Sequence, residues 1–330
     1  MNPLPLFALV GVALMVASCG GGGSPQAAPG NPDPIAAATS TANNNAQCRA
    51  IAPFYWEIGN ASGVLASGSV GLRGNGQPWQ RNDAMAIASA SKWIYAAYAV
   101  ERAGGVLDPV NDIPFLNFTS GYSNFNNIEC RTLETVADCN NGTRNGAEAA
   151  AGVIHYNAGH FQTHAVALGL GPLVAGTLAP EVRSRIGNDV ALEYAEPQLA
   201  GGARSTPGAY ATFLRKMLGS SPALRIGNML GSHAVCTLPG PNCNADAPPI
   251  LPEAWHYSLG HWVEDDPAAT PTSNFAYSSG GAFGFYPWID FNRTLYGMVA
   301  REDLSVGGAG YPSAVCGRLI RLAWKTGTAQ

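Results

Sequence analysis

Cysteine placement constrains this chain more than any other feature. Cys19 ends an apolar run, and six cysteines remain: Cys48, Cys130, Cys139, Cys236, Cys243 and Cys316. Six cysteines allow many connectivities, but spacing favours Cys130–Cys139 and Cys236–Cys243, each closing a short polar loop. Cys48 is then left for Cys316, which ties the start of the folded part to its last helix. Such a pattern belongs to an oxidising compartment. No cysteines are spaced C-x-x-C, which argues against a zinc ribbon. Charged residues make up only 12% of the chain, about half the ~25% usual in globular proteins. With 46% apolar residues this is a folded chain rather than a charge-driven disordered one. A net charge of −4 provides no basic face for a nucleic-acid partner.

Leu6 to Val16 is wholly apolar, too short to span a membrane and of the length of a signal-peptide core. The ending Val16-Ala17-Ser18-Cys19 resembles the lipobox of bacterial lipoproteins. The resemblance implies a signal peptide over 1–18, lipidation of Cys19 and attachment to the outer membrane; plain secretion is the alternative. Residues 19–46 read as a Gly-, Pro- and Asn-rich tether, so the globular domain is expected over 47–330.

Within that domain, 52–72 reads as two strands around Asn60-Ala61-Ser62-Gly63. Ser89 to Ala103 reads as an Ala-rich helix stopped by Gly104-Gly105, and Pro207 to Leu218 as a helix capped by Ser205-Thr206. Strand patterns return from Tyr257, and Pro312 to Trp324 reads as a closing helix. The expectation is one α/β (α+β) unit. Sheet strands come from 47–88 and 250–330, with a mostly helical insertion over 89–249.

The sharpest chemical signal is Ser89-Ala90-Ser91-Lys92 at a helix start. Residues three apart share a helix face, so the Lys92 amine hangs beside the Ser89 hydroxyl. A serine needs a base to become a nucleophile, and a lysine with a depressed pKa serves. No G-x-S-x-G elbow is present, which disfavours an α/β-hydrolase.

In order along the chain, segments 87–108, 115–122 (FLNFTSGY), 203–218, 257–263 (YSLGHWV) and 278–285 (SSGGAFGF) resemble the serine β-lactamase and penicillin-binding-protein superfamily. Class C β-lactamases and their related esterases are the nearest match. The resemblance implies an antiparallel sheet flanked by N- and C-terminal helices, with a helical insertion. It implies Ser89 as nucleophile and Lys92 as base. Tyr156 takes the role of the family's Tyr-x-Asn tyrosine, with Ala158 where the motif has Asn. A phenol between two cations would ionise readily or relay a proton. A one-residue shift would instead place His155 and Asn157 in those roles.

The family's substrate-binding strand motif aligns with Ser278-Ser279-Gly280, and the amides of Ser89 and Gly281 would form the oxyanion hole. Glycines at 280 and 281 would keep the acyl group's approach clear. The literal Lys325-Thr326-Gly327 follows the last helix with no strand after it and is set aside. His155, His160 and His164 are expected at the surface or behind the site rather than on a metal. Trp255, Trp262, Phe283 and Phe285 suit an apolar substrate group or a packed core.

The expected activity is hydrolysis of a small or oligomeric ester or amide without cofactor or metal. A β-lactamase or D-peptide hydrolase is the first alternative, and a catalytically silent binding protein of the same fold the second.

Overall fold

The computed structural model describes residues 33–126, 130–141, 144–245, 252–305 and 308–330. The expected signal peptide, Cys19 and the tether up to residue 32 lie outside the described residues.

The chain runs α1 (Pro34–Asn44), α2 (Ala46–Arg49), β1 (Phe54–Asn60), β2 (Gly63–Val70), β3 (Met85–Ala86), α3 (Ser91–Arg102) and α4 (Ile113–Leu116). There follow β4 (Tyr122–Phe125), α5 (Val136–Cys139), β5 (Asn145–Ala147), α6 (Gly159–Ala165), α7 (Ala175–Ile186), β6 (Leu192–Tyr194), β7 (Ala203–Ser205) and α8 (Pro207–Arg215). The last part holds β8 (Val235–Cys236), β9 (His256–Ser258), β10 (His261–Glu264), β11 (Ala276–Ser278), β12 (Tyr286–Asp290), β13 (Tyr296–Ala300) and α9 (Gly310–Thr326).

Eight strands form one antiparallel sheet in the order β2-β1-β13-β12-β11-β10-β9-β8. The first hairpin therefore joins the last strand, and both chain halves build one sheet, as expected. Its C-terminal group of strands begins at Val235, earlier than the anticipated residue 250. A second sheet, β3-β7-β6, pairs Met85–Ala86 with two strands of the insertion, which also carries the hairpin β4-β5 beside its helices.

The tether expected over 19–46 is corrected where it is described. Asp33 caps the amides of Ile35 and Ala36, and Pro34 occupies the first turn. The small buried face Ala37, Ala38, Thr41 and Ala42 packs α1 on α9. Gln330 N–H donates to Thr41 Oγ1 at 2.9 Å, so the two ends of the domain are also hydrogen-bonded.

Cys48 in α2 is bonded to Cys316 in α9, with Cα atoms 4.9 Å apart. Cys130–Cys139 and Cys236–Cys243 are also paired, all three as the spacing indicated. The α9 helix extends through Lys325-Thr326, and Gly327 caps it at φ 66°. Lys325 Nζ donates to the Ser273 carbonyl, so this tripeptide is a helix end.

Candidate active site

The nucleophile turn departs from a simple helix start. Residues 88–90 form a 3-10 turn and α3 begins at Ser91. Ala88 is in the left-handed region at φ 44°, a strained conformation for a residue with a Cβ. Ser91 Oγ donates to the Ala88 carbonyl (2.6 Å) and Tyr210 of α8 to the Ala90 carbonyl (2.8 Å), which hold the turn. Ser91 is fully buried, whereas Ser89 lies at the surface of a cleft.

Lys92 Nζ is 2.8 Å from Ser89 Oγ and 2.8 Å from the Ala200 carbonyl. Both partners are neutral and the residue is only 4% exposed. Burial therefore lowers the ammonium to about 7. At neutral pH a large share of this amine is unprotonated and can accept the Ser89 proton.

Tyr156 sits over the same amine, with Lys92 Nζ 4.9 Å from its ring centre. Its ring stacks on Trp262 (5.3 Å) and tilts against Phe118 (4.6 Å) from the FLNFTSGY segment. Burial pushes its phenol up to about 12, against an opposing hydrogen bond with Ser89. The expectation of a readily ionised phenol is thus corrected. Lys92 beside it is itself easily neutralised. The group can donate a proton but is a poor base. Asn157 Oδ1 accepts from the Gly159 amide (2.8 Å) in a local turn, and Ala158 lines the cleft. The His155 amide donates to the Phe118 carbonyl (2.9 Å).

His160 and His164 are not surface residues; both are fully buried. His160 Nδ1 is 2.7 Å from Ser120 Oγ, and His164 lies between Tyr95 (2.8 Å) and Asp112 (2.9 Å). Burial lowers the His160 imidazole to about 3 and lowers that of His164.

The strand beside the nucleophile needs a second correction. Amide directions alternate across an antiparallel hairpin. Ser279 N–H points to the Pro287 carbonyl (3.2 Å) and Gly281 N–H to the Phe285 carbonyl (2.7 Å). Gly281 is therefore not a free oxyanion donor. The next amide, that of Ala282, has no acceptor among the described residues, and Ala282 borders the cleft with Ser89. What Gly281 permits is backbone approach, since a Cβ there would lie 2.2 Å from the Ile87 carbonyl oxygen. At Gly280 the nearest atom to such a Cβ is 3.8 Å away, so that position has room. Ser279 Oγ donates to the Ser89 carbonyl (3.2 Å), while the buried Ser278 Oγ has no partner among the described residues.

Two cavities meet at Ser89 and Ala282. One, of 290 Å³, is walled by Tyr156, Trp255, Trp262, Tyr286, Tyr311 and Ala314. The other, of 460 Å³, is the more polar of the two, with Lys92, Glu196, Gln198 and Arg204. Phe283 borders the polar cavity, and Phe285 is buried against Tyr210 (5.1 Å).

Sequence reading missed Glu196, whose pKa is raised by burial. It also missed Gly260, where a Cβ would lie 2.6 Å from the Lys92 carbonyl oxygen. Gly260, at φ 78°, lets the β9–β10 turn press on the first turn of α3.

No protein-family model and no curated protein sequence matches the chain. Solved structures do match. A β-lactamase from Mycobacterium bovis is 17% identical with TM-score 0.57, over 84% of this chain and 95% of that one. EstCE1, a hydrolase with promiscuous acyltransferase activity, is 13% identical with TM-score 0.61 over 87% and 98%. A D-amino acid amidase from Ochrobactrum anthropi is 13% identical with TM-score 0.61 over 89% and 98%. The chain has the fold of the serine β-lactamases and penicillin-binding proteins.

Proposed function

We propose that the protein is a serine hydrolase cleaving carboxylic esters, and amides by the same route, through an acyl-enzyme on Ser89. The observation that carries this reading is the 2.8 Å contact between Ser89 Oγ and a buried lysine amine lowered to about 7. Lys92 takes the proton as Ser89 Oγ attacks the carbonyl carbon. The amides of Ser89 and Ala282 receive the oxyanion. On collapse, the carbon–oxygen bond to the alcohol breaks and the alkoxide takes the Tyr156 proton, which Lys92 replaces. Water entering from the polar cavity, activated by Glu196 or Lys92, then releases the acid and restores Ser89.

Ser278 stands where relatives that act on carboxylate-bearing β-lactams or peptides have a cation. Losing a charge-assisted hydrogen bond costs about 1.5–3 kcal/mol, and a neutral ester does not suffer that loss. Comparing kcat/KM for a p-nitrophenyl acyl ester and a cephalosporin tests the reading. The ester is expected to be preferred by at least tenfold. Preference for the cephalosporin would establish the β-lactamase alternative.

Export, with Cys19 as a lipid anchor at the outer membrane, is part of this proposal and is supported by the three disulfides. Detergent partitioning of the mature protein, abolished by Cys19→Ser, is the expected result. A mature chain that starts after Cys19 and stays in the aqueous phase would refute the anchor.

A further inference from the structure

The two cavities that share Ser89 differ in chemistry, and the difference assigns the two halves of a substrate. The polar one carries Lys92, Glu196 and Arg204. Among the described residues, no charged side chain lines the aromatic one. Tyr286 and Tyr311 present ring surface to it, because their hydroxyls are bonded elsewhere. Tyr311 donates to Glu253 (2.6 Å) and Tyr286 to Glu264. Each carboxylate is neutralised by an arginine of α9, Arg318 on Glu253 (2.5 Å) and Arg321 on Glu264 (2.8 Å). The two carboxylates behind the wall therefore add no net charge.

Two polar atoms among the cavity's lining residues remain unpaired. Trp255 Nε1–H and Ser278 Oγ are buried with no partner among the described residues. Buried polar groups in native proteins are almost always satisfied, so two at one cavity point to a ligand atom that completes them. The indole N–H can only donate, while a serine hydroxyl donates or accepts. Together they suit an uncharged oxygen. The volume of 290 Å³ is about twice the ~150 Å³ in which an apolar cavity holds benzene, enough for one or two rings.

We propose that this cavity is the alcohol-side subsite and receives an uncharged alcohol of one or two rings bearing a single hydrogen-bonding oxygen, held by Trp255 and Ser278. The proposal rests on the hydrolase reading above. Tyr156 places the alcohol here rather than the acyl group, since it lines this cavity and carries the proton the leaving alkoxide needs.

The test is a set of acetate esters with purified mature protein. The kcat/KM ratio of 2-naphthylmethyl to ethyl acetate should exceed ten, and Ala314→Phe, which fills the cavity, should bring it to one or below. 3-Hydroxybenzyl acetate should be preferred over its 3-methyl isostere by about tenfold. Ser278→Ala and Trp255→Phe should each erase most of that preference. 3-Carboxybenzyl acetate should be the poorest of the three. Labelling of Ser89 by a small fluorophosphonate, followed in every variant, shows that the fold and nucleophile survive. A labelled enzyme whose ester ratios ignore these substitutions overturns the cavity assignment alone. An enzyme that neither labels nor turns over any of the esters overturns the hydrolase reading and this inference with it.

Discussion

Lys92 and Arg321 are both cations withdrawn from water, and the molecule treats them in opposite ways. Arg321, fully buried, donates to Glu264, Asn274 and the Tyr286 hydroxyl, and its guanidinium lies 4.9 Å from the Trp288 ring centre. Burial alone would lower its pKa, but Tyr286 and Glu264 outweigh that and the net direction is upward. Among the described residues the Lys92 amine is hydrogen-bonded only to a hydroxyl and a carbonyl, with no carboxylate, so burial brings it near neutrality. A paired buried charge holds structure together, whereas an unpaired one becomes a base.

The largest effect follows from replacing the tunable cation with one that stays charged. Lys92→Arg keeps the charge but cannot deprotonate. It should lower kcat/KM for a p-nitrophenyl ester by about 10²–10⁴-fold. Activity within tenfold of wild type would show that Lys92 is not the base.

The converse change concerns stability. Arg321→Ala leaves Glu264 buried without its cation, and should cost about 3–5 kcal/mol in urea unfolding. A loss under 1 kcal/mol would mean that the two buried cations do not differ in the way described.

The tether on the same helix comes next. Cys48–Cys316 spans 268 residues, against 9 and 7 for the local pairs. Replacing it with serines should cost about 2–5 kcal/mol, more than replacing Cys236–Cys243. Equal losses would contradict the loop-length argument.

Buried histidines extend the comparison to other bases kept neutral. Burial lowers His160 and His261 to about 3. The unfolded chain protonates each near pH 6.5 and the native state does not, so the unfolded state binds more protons between those values. Their contribution is therefore complete above about pH 6.5 and lost as pH falls toward 3, by about 1.4 kcal/mol per pH unit for each. His160→Gln should flatten the stability–pH curve in that window, and an unchanged slope would refute the assignment. The smallest effect is a shifted profile. Ala158→Asp puts a carboxylate in the Lys92 cavity and should move the alkaline rise of kcat/KM up by about one unit or more.

How much of this was legible in the sequence varied with the range of the interaction concerned. Ser89 and Lys92 could be paired because one helical turn brings them together. The strain at Ala88 and the later start of α3 could not be read, because Tyr210 and neighbouring strands impose them. The Asp33-Pro34 cap and alanine run of α1 were in plain view, but Asn- and Gly-rich neighbours masked them. The Gly281 error has a different origin. Amide direction depends on pairing register, which residue identity does not reveal, and a shift of one position reverses it. Ala282 and Glu196 carry no local motif, and only the folded chain brings them to Ser89.

Covalent capture of Ser89 as a function of pH tests the central claim most directly. A neutral fluorophosphonate should add one phosphonyl group, located on Ser89 by peptide mass spectrometry. The capture rate should climb about tenfold per pH unit below 7 and level off above it, following the neutral fraction of Lys92. Ser89→Ala should take up no label. Labelling at another residue, or a wild-type rate that does not change between pH 5 and 9, would contradict a serine nucleophile activated by a buried, unpaired lysine.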